Sequence, residues 1–165
     1  MEIVRRAEIW DRLRVGDAVL TRAAEAAFLA APSAPRGPCE VTLVLSDDAE
    51  MAELNRLWRG KDTSTNVLSF PAGAPIGSES GPRPLGDVVL AAETVRREAE
   101  AQGVPLADHV SHLIVHGVLH LLGFDHEREA EAKRMEALEA KALAGLGIAD
   151  PYAEPAAEAS AEASP

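Results

Sequence analysis

A chain of 165 residues, 47% of them apolar, can bury one sizeable core, and no uninterrupted apolar stretch reaches membrane-spanning length. Net charge is −11, which excludes broad electrostatic attraction to nucleic acid and leaves such a partner only a local basic cleft. The single cysteine, Cys39, can form no intramolecular disulfide, and Met1 to Trp10 carries Glu2, Arg5, Arg6 and Glu8 where a secretory signal needs an apolar run, so a cytoplasmic setting is expected.

In chain order, Glu2 to Ile9 reads as an edge strand, and Ala-rich Asp17 to Ala31 as a helix ended by Pro32. A Pro/Gly/Ser loop follows over Pro32 to Pro38, then a strand over Glu40 to Leu45 and a short helix over Ala49 to Leu57, with Ser46 and Asp47 as cap candidates. Asn66 to Phe70 is a second core strand stopped by Pro71, Ala72 to Pro84 a Gly/Pro/Ser-rich surface loop, and Leu85 to Ala91 a third core strand. Glu93 to Gln102 is helical and closed by Gly103, and a helix from Pro105 to about Leu122 is apolar on nearly every side, which marks it as central and buried. A last helix runs from about Glu127 to Leu146, with Met135, Leu138, Ala142 and Leu146 on one stripe. Interleaved strands and helices without an internal repeat define an α+β fold: a small mixed sheet packed with about five helices around the central histidine-bearing one. Residues 1–149 form one hydrolase domain in this reading. Residues 150–165, rich in Ala, Glu, Ser and Pro with four acids and no base, form a disordered acidic tail.

All five histidines fall within the eighteen residues from His109 to His126. His116 and His120 are four apart, so one helix face directs both imidazoles at one point. Gly123 is a natural terminator that lets the chain turn back and bring His126 to that point. Three neutral imidazoles with one position open to water describe a catalytic zinc site. His109 and His112 share the face of His116 and read as structural or as supports behind the ligands. The spacing also matches the zinc-binding skeleton of the His-Glu-x-x-His-x-x-Gly-x-x-His peptidases, but Gly117 stands where their glutamate base belongs, so that peptidase chemistry has lost its proton acceptor.

The other unusual segment is Leu54 to Pro71, a short helix that empties into Arg59-Gly60-Lys61-Asp62 before a buried strand. Arg59 and Lys61 fit a phosphate, since guanidinium meets phosphate oxygens bidentately. They equally fit a surface pair balanced by Asp62.

Leu54 to Pro71, Leu85-Gly86-Asp87 and above all His116-Gly117-Val118-Leu119-His120-Leu121-Leu122-Gly123-Phe124-Asp125-His126 closely resemble the YbeY family of ribosomal-RNA maturation endoribonucleases. The resemblance implies a bacterial cytoplasmic, single-strand-specific endoribonuclease acting in 16S rRNA 3′-end maturation and ribosome quality control. It implies one Zn²⁺ per chain on His116, His120 and His126, Arg59 as the functional arginine, and ribosomal RNA and small-subunit components as partners, with no membrane. The family often has tyrosine where Phe124 stands and aspartate where Asn66 stands, so an acid–base role at position 66 is missing here. Zinc would lower the pKa of water from ~15.7 toward ~7, and Arg59 would stabilise charge on the phosphodiester. With Gly117 in place of a glutamate, a general base must come from Asp87, the first choice, from Asp125, which can instead orient a ligand, from another carboxylate, or from the metal hydroxide itself. Two alternatives stand beside this assignment: another metal-dependent hydrolase, and a non-catalytic ribosome-associated factor whose zinc takes a fourth protein ligand such as His112.

Overall fold

The computed structural model describes residues 1–32, 34–35, 37–59, 65–72 and 83–153, with Arg59 described by its backbone alone. The first half comprises β1 (Glu2–Arg5), α1 (Ile9–Leu13), α2 (Asp17–Ala30), β2 (Cys39–Ser46) and α3 (Asp48–Arg59). Then come β3 (Val67–Pro71), β4 (Arg83–Ala91), α4 (Ala92–Gln102), α5 (Leu106–Leu121) and α6 (Glu129–Gly145). The architecture is α+β, a four-stranded mixed sheet with helices on both faces.

Strand order is β1-β2-β4-β3, with β1, β2 and β4 parallel and β3 antiparallel at the edge. Because β4 is paired on both sides and covered on both faces, its run Val88–Ala91 is buried throughout and reads as continuously apolar. Side chains alternate across the sheet. Val41, Leu43, Leu45, Val88 and Leu90 join the main core with α5, whereas Val89, Ala91 and Leu68 pack on Met51 of α3. This alternation decides which residues of β3 and β4 can face the histidine helix.

α5 lies between the sheet, α2, α4 and α6, and Val110, Leu113, Ile114, Val115, Val118 and Leu119 are all buried, as its all-round apolarity requires. Gly117 is the point of closest approach to the sheet. A Cβ there would meet Val88 Cγ1 at 2.7 Å and Ser69 Oγ at 3.2 Å, and Ser69 Oγ donates to Gly117 O at 3.0 Å. The glycine therefore marks a helix–sheet contact, and a glutamate at this position would collide with β4.

The chain departs from expectation at both ends. The strand expected over Glu2 to Ile9 stops at Arg5, and Ile9–Leu13 forms a sixth, one-turn helix, α1. Buried Trp10 causes the break: its Nε1–H donates to Ser46 O at 2.7 Å, which pulls the chain over the end of β2. Composition places the tail from Asp150, yet Tyr152 packs on the body through its ring against His112 and its hydroxyl on Glu139, so the body extends beyond 149. Residues 154–165 lie outside the described residues. Among the described residues, no helix is long and apolar enough to cross a membrane.

Candidate metal centre

The site grows out of the end of α5. His116 and His120 are one turn apart on the helix face that looks past the edge strand β3. The helix then closes at Gly123, whose φ of 102° only glycine adopts readily, with Gly123 N–H on His120 O and Phe124 N–H on Leu119 O. This reversal swings His126 back over the helix end. Asp125 holds the turn, its Oδ1 accepting the His126 N–H at 2.6 Å. Ring centroids stand 4.6 Å apart for His116 and His120, 5.0 Å for His120 and His126, and 5.5 Å for His116 and His126.

One nitrogen from each ring lies within 4.8 Å of the other two, the one such group of ligating side chains among the described residues. His116 Nε2 and His120 Nε2 are 3.2 Å apart, and two nitrogens on one tetrahedral ion at about 2.0–2.1 Å stand about 3.3 Å apart. Burial, then the neighbouring His116 and His126, push the pKa of His120 from its ordinary 6.5 down to about 4, so it is neutral as a ligand must be. The residues present fit a divalent cation.

Behind His116 stands a residue that sequence reasoning missed. Glu139 of α6 is 1% exposed, and its Oε2 accepts from His116 Nδ1 at 2.6 Å. Its Oε1 accepts from His112 Nε2 at 2.8 Å and from the Tyr152 hydroxyl. Burial alone would raise the carboxyl pKa, but hydrogen bonds from His112, His116 and Tyr152 outweigh it and leave Glu139 at about 2. Burial and the Glu139 carboxylate push the Tyr152 hydroxyl up, so it stays a donor. An ionised carboxylate only accepts, so His116 carries its proton on Nδ1 and turns the Nε2 lone pair toward the cleft. This is the carboxylate–histidine arrangement that fixes a metal ligand's tautomer and ring orientation. A signal was present in the sequence: Glu139 falls in line with Met135 and Ala142 on the buried stripe of α6.

His112 thus serves Glu139 and is not a fourth ligand. His109, also buried, places Nε2 2.8 Å from Glu98 Oε1, and the same carboxylate accepts from Asn66 Nδ2 at 3.0 Å. An aspartate at 66 would face Glu98 as a like charge, so the amide suits this neighbourhood. Asp87, the first choice for general base, is misplaced for that role. It is exposed, pairs with Phe70, and alternates with Val88, so it lies on the sheet face turned away from α5. Its sequence neighbours gave no way to see which face it would take. Arg59 closes α3, while its side chain and Lys61 lie outside the described residues.

The histidines open into a cleft of about 700 Å³ that runs along β3, lined by Asn55, Asn66, Ser69, Phe124, Asp125 and Glu127 among others. Its mouth is polar and faces solvent, a shape suited to an extended polar substrate. Fold and site define an α+β protein with a three-histidine group able to hold a metal ion, built from a buried helix and the turn after it. The family model described as Endoribonuclease YbeY matches residues 14–147, and a Rhodopseudomonas palustris protein named Endoribonuclease YbeY is 49% identical over 155 residues, covering 93% of this chain and 90% of that one. A Bradyrhizobium protein of the same name is 47% identical over 156 residues, covering 93% and 92%. The chain belongs to the YbeY family. A Thermotoga maritima protein solved in solution shares the fold, with a TM-score of 0.53 and 20% identity over 93% of this chain and 99% of that one.

Proposed function

We propose that this protein is a metal-dependent endoribonuclease that cuts single-stranded RNA. Within that activity we assign it to 3′-end maturation of 16S rRNA and ribosome quality control, in the cytoplasm, with ribosomal small-subunit components as partners. The observation that carries the activity is the convergence of His116, His120 and His126 on an open cleft in a chain of this family.

His116, His120 and His126 would hold one zinc ion, which would supply Lewis acidity at a phosphodiester and acidify a water at neutral pH. The chain's own groups do the rest. Glu139 holds the His116 proton on Nδ1, and Asp125 pins the His126 backbone. Among the described residues Asp125 and Glu127 are the carboxylates lining the cleft, and we assign one of them, in place of Asp87, to accept a proton released there. Arg59, at the end of α3, is the cation we assign to charge developing on the phosphate.

The test is cleavage of a labelled single-stranded RNA and of its duplex by protein of known metal content, beside His116→Ala, Arg59→Ala and Asp87→Asn. Single-strand cleavage should vanish in the first two and persist in the third. Cleavage retained in His116→Ala would trace the activity to a contaminant and overturn the assignment.

A further inference from the structure

We infer that Trp58 forms a stacking platform for an unpaired base of single-stranded RNA, a binding subsite beside the histidine cleft. Trp58 lies on α3 and is 70% exposed, and its neighbour Leu57 is 59% exposed. Adjacent in sequence, the two side chains form an exposed apolar patch at the end of α3. The indole is held in place without being covered. It meets Phe70 in a T-shaped contact with ring centroids 6.3 Å apart and planes at 67°.

The location ties the ring to the cleft. Asn55, on the same helix and nearly one turn earlier, lines the cleft, and Phe70 sits in β3 between Ser69 and Pro71, which both line it. Phe70 itself turns to the α3 side of the sheet, so a strand with its scissile phosphate at the histidines would meet Trp58 where it passes over the β3 edge. Charge makes such a contact useful. On a chain of net charge −11, phosphate pairing is confined to a local basic cleft of the kind Arg59 would supply, and affinity for RNA gains from a contact that carries no charge. Stacking on an aromatic ring is that contact, and it selects single strands, because bases in a duplex are already stacked on each other.

The proposal rests on the endoribonuclease reading, and the experiment separates the two. A single-stranded 2′-O-methyl RNA is titrated into the full-length protein while tryptophan emission is followed; the same strand in duplex and an abasic sugar–phosphate strand are the controls. The other tryptophan, Trp10, is 1% exposed and hydrogen-bonded to Ser46 O, so a change in emission reports Trp58. The single strand should quench emission, and the duplex and abasic strand should not. By anisotropy of a labelled strand, Trp58→Ala should bind roughly 5- to 150-fold more weakly, with Trp58→Phe recovering most of that loss. Unchanged affinity in Trp58→Ala, or equal quenching by the abasic strand, would overturn the platform and leave the exposed ring to a protein partner, with the nuclease assignment intact. A parent protein that binds neither single strand nor duplex would overturn both.

Discussion

At the scale of single residues, the centre depends on a carboxylate that never meets the cleft. Glu139 fixes His116 through Nδ1 while His112 and Tyr152 hold Glu139. Replacing it with glutamine keeps the volume but offers an amide where two imidazoles donate, so Glu139→Gln is expected to weaken zinc binding by about 10- to 100-fold. Competition with a chromogenic chelator measures this, and circular dichroism checks that the variant folds. The same residues set the acid stability of the metal-free protein. His120 titrates near 4 folded against 6.5 ordinarily, and Glu139 near 2 against 4.5. Both folded values are depressed, so the unfolded chain binds protons first on acidification. The contribution of these two groups is full above about pH 6.5, falls toward pH 4 as unfolded His120 charges, and falls again between 4.5 and 2 through Glu139. Thermal melts in chelator across this range should show Tm falling with pH, and Glu139→Gln should remove the lower step. Asn66→Asp tests the neighbouring pair. It sets a second carboxylate against Glu98, so its Tm deficit should be largest at neutral pH and shrink as acid protonates one partner.

At the scale of elements, the edge strand and the histidine helix are the working pair, joined where Gly117 meets Val88 and Ser69. Gly117→Ala gains helix propensity but drives a methyl into Val88, and overpacking of this kind costs about 1–3 kcal/mol. Denaturant unfolding should show that loss, and stability equal to the parent would mean the helix can lift off the sheet at no cost. The elements themselves were legible where one period dominated. The apolar stripe of α2, the all-round apolarity of α5 and the continuous apolar run of β4 located all three within a residue or two. Legibility failed where tertiary contact decided. A distant carbonyl, Ser46 O, captures Trp10 and turns the end of a strand pattern into α1. Residues 125–128 spend themselves on the turn that delivers His126, so α6 begins at Glu129 instead of Glu127. The convergence of His116, His120 and His126 was readable because i, i+4 spacing and a glycine turn are local geometry. The stripe of α6 signalled that Glu139 is buried, but its pairing with His112 and His116, like the facing of Asp87, depends on how one element packs against another.

At the scale of the whole molecule, an acidic protein presents a small polar cleft at one edge of its sheet. The exposed acids Glu127, Glu129 and Glu131 follow the His126 turn, and the last two sit in the first turn of α6, where the helix dipole favours them. They repel a polyanion from that flank and leave the β3 side as the path for RNA. The most direct measurement is metal removal and return: strip the protein with chelator, assay single-strand RNA cleavage, then add zinc in steps. Cleavage should disappear on stripping and return with a break at one zinc per chain, and His120→Ala should neither bind the ion nor recover. Full cleavage by the stripped protein, or by His120→Ala, would contradict a three-histidine metal centre as the seat of the activity.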